Sequence, residues 1–423
     1  MPDETRRPSL PPPVPRPAGA PLALDGIRIL DFSRLLSGPY GTLLLADMGA
    51  DVIKVENPAT GDDSRMIQTP GAQGESALFH WANRNKRSVA IDLRQPEGQR
   101  LARELALKAD VVVENFSTGV MERFGLGYED LSALNPKLIY CSVCAFSREG
   151  PFAARPGYDT VIQAESGILS LSGFPDGEPV RCGAPLADIS TGFMTANAIL
   201  GALMARERHG IGQYCEVSLF DDAITMTGHL GVAYLLNGQE YQRCGNGSGT
   251  AEPSGLFKAQ DGTVLITCAN DKTFRLLAET MLGRPDIADD PRFANNRQRL
   301  AHKVELHAAL NEELSSQPCK VWLEAGLRIG VPIGRVNSIG EAFNSEEVRS
   351  RGLLSEIPHP VLGKVPNVAA PLRFAGTPLA DPVASPLLGA HTAEVLEEML
   401  QLSQAEIEDL RKAGIFGATA AAG

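Results

Sequence analysis

The sequence predicts an α/β protein, with a doubly wound domain built on a mainly parallel sheet and then a smaller α+β domain. Three observations predict it. Continuous apolar runs such as GIRILDF, VVVENF and KLIYCSVCAF alternate with amphipathic helical stretches, the pattern of strands buried on both faces. Pro and Gly fall at the starts and ends of those helices. The texture then changes after about residue 225, where the Gly-rich RCGNGSGTAEPSG precedes a hairpin-like stretch. The 423 residues are too many for one core, and a prior of roughly 150 residues per domain gives two or three.

The elements follow in order. Residues 1–21 are Pro-rich and lack an apolar signal core, so they read as a disordered arm. GIRILDF is a strand. SGPYGTLLLADMG is a helix begun by Ser37 or Gly38, with Pro39 in its first turn and Gly49 as its stop. ADVIKVE is the next strand, and the three form one right-handed βαβ unit. RSVAIDL is a strand, and PEGQRLARELALKAD is a helix with Leu101 and Leu105 one turn apart. VVVENF and KLIYCSVCAF add two strands, and Ile189 to Arg206 reads as a long, mostly buried helix. The large domain spans residues 22–220, with a linker at 221–244. The small domain spans 245–330, with a hairpin around Asp261-Gly262 and helices near 273–282 and 301–314. A second linker covers 331–350, and a Pro-rich segment with a last helix at 392–413 occupies 351–423. The tail GATAAAG reads as frayed.

Composition limits function. Acidic residues number 51 against 39 basic ones, a net charge of −12, which argues against general nucleic-acid binding. No stretch approaches ~18 apolar residues free of charge, so no membrane span is expected. The seven cysteines are irregularly spaced. Cys141 and Cys144 form a CxxC inside an apolar run with no second pair, so buried thiols are expected rather than a metal site. A reducing cytoplasm is the simplest compartment.

Glu56, ending the second strand of a βαβ unit, suggests a dinucleotide site. The first turn, SRLLSGPYG, lacks GxGxxG and so cannot bring backbone against a pyrophosphate in the usual way. Basic residues gather at Arg84, Lys86, Arg87 and Arg94, with Arg123 eight residues past Asn115. They could hold phosphates, with Phe116 offered to an adenine face, but spacing alone favours a solvated charged surface.

At this point the residues resemble a known family. LDFSRLLSGPYGTLLLADMGADVIKVE, NRNKRSVAIDL, ADVVVENFSTGVMERFG, GYDTVIQAESG and PLADISTG look like successive signatures of the class III CoA-transferases, the CaiB/BaiF type that includes formyl-CoA transferase. DDPRFANNRQR and GVPIGRVNSIGEAF resemble its small domain and linker. The resemblance implies a Rossmann-like large domain, a small domain, long linkers and two chains interlocked as a homodimer. It also implies a C-terminal segment that returns to the large domain. Coenzyme A is implied as substrate and product, with no permanent cofactor and no metal. The acyl-CoA and a small carboxylic acid are the implied partners.

The resemblance also implies site residues. The aspartate of PLADISTG, Asp188, becomes the nucleophile; by itself it reads as a helix N-cap. At a helix N-terminus its carboxylate would be held in one orientation and stay ionised. Contacts to CoA fall on Leu36, Ser37, Asn57, Ile91, Arg94, Asn115, Phe116, Arg123, Arg155 and Tyr158. The loop with Gly245, Gly247 and Gly249 would be a lid, or else a plain hairpin loop. Two departures stand out. Leu36 replaces a glutamine of the enzymes acting on formate or oxalate, which suggests a less polar pocket and a larger acid. Asn57 replaces an arginine contact to CoA. The racemases of 2-methylacyl-CoA share the fold but use a histidine where this chain has Tyr158, a poor base for an α-proton. A CoA-binding protein without catalysis is the third reading, and retention of Asp188 argues against it. Succinyl-CoA is the donor favoured by family frequency.

Overall fold

The computed structural model describes residues 9–69 and 76–417. The first eight residues and the tail from residue 418 lie outside the described residues. The chain forms two compact units, one of residues 1–166, 183–227 and 346–423, the other of residues 167–182 and 228–345.

The first unit is organised by six parallel strands: β1 (Arg28–Asp31), β2 (Asp51–Glu56), β3 (Lys86–Ala90), β4 (Val111–Glu114), β5 (Ile139–Cys144) and β6 (Gln213–Ser218). Their order is β3-β2-β1-β4-β5-β6. Leu30 lies between Ile53 on one side and Val112 on the other. These side chains pack with Leu101 and Leu105 of helix Pro96–Leu107 and with Val395 and Leu396 near the C-terminus. Strands β4 and β5 have no exposed residue, which is why they read as unbroken apolar runs rather than alternating ones.

The chain runs from β1 outward to β3 and then returns to β4, beside β1. The carboxyl ends of β1 and β4 therefore flank a topological switch point, where open α/β sheets leave a crevice. Helix Ser37–Asp47 leaves β1 there and packs against the long helix Leu186–His209. The approach is close because Gly192 has no Cβ; one would sit 2.7 Å from Tyr40 Cδ1 and 3.1 Å from the Ser37 carbonyl oxygen.

Several expectations change. The long helix is not mostly buried: Ala187, Thr191, Thr195 and Ile199 face inward, while Met194 is 45% and Met204 is 54% exposed. By length and mean apolarity it could cross a membrane, although its ends carry Asp188, Arg206 and Arg208. The last helix is two, Thr392–Leu400 and Gln404–Lys412, because Gln401 takes a left-handed conformation (φ 58°) and Ser403 starts a new capping box. Residues 9–21 are not free of the fold: the Pro11 carbonyl accepts from Glu356 N–H at 2.9 Å, and Arg16 N–H donates to Asp381 at 2.8 Å.

In the second unit, β7 (Ser254–Ala259), β8 (Gly262–Thr267) and β9 (Ile333–Arg335) form an antiparallel sheet. Ala259 pairs with Gly262, so the hairpin turn is Gln260-Asp261, one residue earlier than Asp-Gly suggests. Phe257, Ile266, Phe274, Leu310 and Trp322 share its core. The fully buried Arg299 donates to the Glu252 and Phe293 carbonyls and pairs with Asp271 at 2.7 Å.

Candidate active site

The site begins with the turn that follows β1. Asp31, at the strand's end, accepts from Ser33 N–H and Oγ through one oxygen and from Thr42 Oγ1 (2.6 Å) through the other. Lys86 Nζ lies 3.1 Å from that second oxygen. Leu35 then adopts φ 66°, rare for a branched residue, and the chain enters the helix at Ser37. From the other direction comes the long helix. Asp188 is its third residue, not its N-cap. The cap is Asp159, from helix Asp159–Glu165: its Oδ1 accepts from the N–H groups of Ala187 (2.8 Å) and Asp188 (3.3 Å).

Relieved of capping, the Asp188 carboxylate points elsewhere. Its Oδ1 accepts from Ser37 Oγ at 2.6 Å, and no donor among the described residues reaches Oδ2. Its pKa is pushed up from 3.8 to about 6. Burial is the largest cause; the Ser37 hydroxyl pulls the other way, and the Asp159 charge adds to the rise. The group is thus ionised at neutral pH, but less firmly than a helix N-terminus alone suggests.

Asp188 lines a cavity of about 270 Å³ together with Leu36, Ser37, Asn115, Phe116, Arg155 and Tyr158. A smaller cavity of about 120 Å³ is lined by Asn57, Ile91 and Arg94. Arg34 and Phe116 border both. Most of the candidate CoA residues therefore gather at the carboxyl ends of β1, β2 and β4. Arg123 lines neither cavity. Tyr158 is 67% exposed at the larger one, immediately before Asp159.

The basic cluster resolves differently. Arg84 is buried against Asp47, Lys86 is buried against Asp31, and Arg87 is tied to Asp51, Glu394 and Glu398. None is free for a phosphate. Arg84 ends the helix before β3, and Lys86 and Arg87 point to opposite faces of that strand, so neighbours in sequence meet different carboxylates. Glu56 is likewise taken, by Arg65 at 2.7 Å and Ser88 at 2.6 Å. Arg94 pairs with Asp92 at 2.8 Å while remaining largely exposed. Asn115 is engaged with the backbone: it accepts from Arg34 N–H and donates to the Arg34 carbonyl, both at 2.8 Å. Arg34 itself escaped the sequence reading. It lies over the Phe116 ring, 4.9 Å from the centroid, and pairs with Asp63 at 3.2 Å. Nothing in SRLLSG distinguishes it from a surface residue until the turn is folded.

In the second unit, Gly245 takes φ 63°, and its N–H donates to the Gly173 carbonyl at 3.0 Å. Gly247 carries the carbonyl that accepts from Cys244 Sγ, and a Cβ there would strike Lys303 Nζ; at Gly249 a Cβ would meet open space. The cysteines are free, with Cys141 and Cys144 buried in β5.

Comparison with known proteins decides the family. Residues 24–392 match the model of CoA-transferase family III. This chain belongs to that family. It is a class III CoA-transferase, working on CoA thioesters. Among curated relatives, the succinate–glutarate CoA-transferase of Agrobacterium fabrum is 41% identical over 89% of this chain and 95% of its own length. A succinyl-CoA:glutarate CoA-transferase of Mus musculus is 35% identical over 93% of this chain and 90% of its own. An acetyl-CoA:oxalate CoA-transferase of Acetobacter aceti is 40% identical over 78% and 85%. Among solved structures, a CaiB/BaiF family protein from Brucella suis superposes on this CoA-transferase with a TM-score of 0.81. It is 39% identical and covers 90% of this chain and all of that one.

Proposed function

We propose that this transferase moves CoA from succinyl-CoA to a dicarboxylic acid such as glutarate, through covalent acylation of Asp188. The single observation that carries the catalytic part is the Asp188 carboxylate itself. One oxygen is anchored by Ser37, the other has no donor among the described residues, and the group lines a cavity at the switch point. The dicarboxylate part rests on relatives named for succinate and glutarate. Leu36, only 5% exposed at the cavity wall, supports an acid larger than formate or oxalate.

The steps keep the thioester's free energy within the protein. Asp188 Oδ2 attacks the acyl carbon of the donor; the C–S bond breaks and CoA thiolate leaves, giving a mixed anhydride. The thiolate attacks the aspartyl carbonyl, expels the donor acid as a carboxylate and forms an aspartyl-CoA thioester. The incoming carboxylate attacks that carbonyl and releases thiolate, which then attacks the acceptor's acyl carbon. Acceptor-CoA departs and Asp188 is free again. Thiolate and carboxylate are both nucleophiles, so no further base is needed. The Ser37 hydroxyl, 2.6 Å from Oδ1, is placed to donate to the oxyanion of each tetrahedral intermediate at Asp188. Water must be kept out of these steps. We also propose an interlocked homodimer, residence in the cytoplasm, and CoA laid across the two adjoining cavities, with Phe116 and Arg34 between them.

The test is Asp188→Ala. CoA exchange between acyl-CoA and acid, followed by mass spectrometry of the CoA products, is expected to vanish while CoA still binds. Retained turnover would move the nucleophile elsewhere.

A further inference from the structure

We propose that Lys54 and Asp62 are positioning residues for the reaction: buried beneath the turn that follows β1, they hold it in the shape that sets Ser37 against Asp188. This rests on Asp188 being the nucleophile.

Three consecutive residues of the turn are gripped by side chains through their backbone. The Ser33 carbonyl accepts from Lys54 Nζ at 2.6 Å. The Arg34 N–H and carbonyl are both taken by Asn115. The Leu35 N–H donates to Asp62 Oδ1 at 3.0 Å. Lys54 and Asp62 are joined to each other, Nζ to Oδ2, at 2.7 Å. Asp62 is fixed in turn by Ser64 N–H (2.8 Å) and Ser64 Oγ (2.7 Å), and its own N–H donates to Glu56 at 2.9 Å. Lys54 is 0% and Asp62 1% exposed.

Two features separate this from ordinary scaffolding. First, the middle of a fully buried strand is where an apolar residue packs at least as well, and a buried ion pair is weak evidence for stability. In DVIKVE the lysine interrupts a core strand, and its ammonium reaches a backbone carbonyl of the turn. Second, the held segment contains Leu35 at φ 66°, a conformation that an L residue avoids without outside constraint. Two residues later Ser37 makes its 2.6 Å contact with Asp188. The clamp therefore acts on catalysis through Leu35 and Ser37; Lys54 and Asp62 border the smaller cavity, but their side chains are fully buried. Among the described residues, Ser37 and Asp159 hydrogen-bond to Asp188 at its side chain and backbone, and Arg34, Arg155 and Tyr158 line the same cavity.

The experiment compares Asp62→Asn, Leu35→Val and Ser37→Ala in the full-length enzyme. Single-turnover acylation by succinyl-CoA is followed across pH, and CoA affinity and folding are checked by calorimetry and circular dichroism. Asp62→Asn removes the charge that holds Lys54. Leu35→Val leaves every charge in place but makes the left-handed conformation costlier, because a β-branched residue fits it worse than leucine. Each is expected to slow acylation roughly ten- to hundredfold, with a much smaller loss of CoA affinity. Each should also move the acidic limb of the profile in the same direction as Ser37→Ala. Combined with Ser37→Ala, neither should add a further loss, because both act through that hydroxyl. Should Asp62→Asn fail to fold, Leu35→Val decides on the same readouts. Full acylation with an unmoved limb, or losses that multiply with Ser37→Ala, would overturn the proposal while Asp188→Ala stays dead. A competent Asp188→Ala enzyme would instead overturn the nucleophile assignment.

Discussion

Replacing Asp188 by Asn will stabilise this enzyme at neutral pH and hardly at all in acid. The native environment raises the carboxyl from 3.8 to about 6. The folded state thus binds the proton more tightly than the unfolded chain does. Its favourable contribution is complete below pH 3.8 and is lost as the pH rises through about 6. A rise of about 2 units at ~1.36 kcal/mol each makes the ionised group unfavourable by about 3 kcal/mol at pH 7.5. Partial exposure of the side chain lowers this to about 2 kcal/mol. Asn keeps the shape, and its carbonyl oxygen still accepts from Ser37, so little else changes. By the same linkage only about 0.5 kcal/mol of the difference survives at pH 4. Urea midpoints of both proteins at pH 4 and pH 7.5, at one protein concentration, measure it. An Asn variant no more stable than wild type at pH 7.5, or an equal gain at both pH values, refutes the reasoning. The same substitution is expected to abolish CoA transfer, so stability and activity would move in opposite directions at one atom.

Further outcomes follow from the same geometry. The rate of acylation by succinyl-CoA should fall about tenfold per pH unit below about 6, and Ser37→Ala should shift that limb upward, since the hydroxyl now lowers the pKa. Asp159→Asn keeps an oxygen for capping but removes a charge, so the limb should move downward; Asp159→Ala also loses the cap, about 1 kcal/mol by thermal or urea unfolding. Gly192→Val would drive a branched side chain into Tyr40 and the Ser37 carbonyl, destabilising the fold by about 1–3 kcal/mol and lowering the acylation rate more than CoA affinity.

The sheet was legible because its strands are buried on both faces. VVVE and IYCSVC read as strands without any partner in view. Asp188 was legible as a residue type before an apolar helix, but its role was assigned too locally. Asp followed by a helical run implies a cap, whereas the cap came from Asp159, 29 residues earlier, and no periodicity reports such a pairing. The same locality misled the reading of Arg84, Lys86 and Arg87. A run of basic residues looks like one patch, yet Arg84 ends a helix, Lys86 and Arg87 point to opposite faces of β3, and each meets a different carboxylate. Lys54 was passed over entirely, since one lysine in a core strand looks like an edge or an error until its partner Asp62, in a loop eight residues on, is placed beside it. The split of the last helix depended on Gln401 entering the left-handed region, where Asn or Gly would have given warning.

The division of labour between Asp159 and Asp188 bears on why the proposed nucleophile lies inside the helix. An aspartate that caps its own helix accepts hydrogen bonds from backbone N–H groups, which lowers its pKa and weakens it as an attacking group. Here Asp159 occupies those N–H groups, leaving Asp188 with one hydroxyl on Oδ1 and none on Oδ2. Burial then raises the pKa towards about 6, so the carboxylate is still charged at neutral pH yet more basic than an ordinary aspartate. Basicity in a nucleophile and leaving ability in its anhydride are opposed, and an acid of pKa near 6 sits between those of a free dicarboxylate and a thiol, ~4 and ~8.5. An intermediate of that kind can pass an acyl group in either direction without a deep well on the way. A transferase that must run between two acids of similar thioester energy needs that property, and the arrangement of two aspartates at one helix start supplies it.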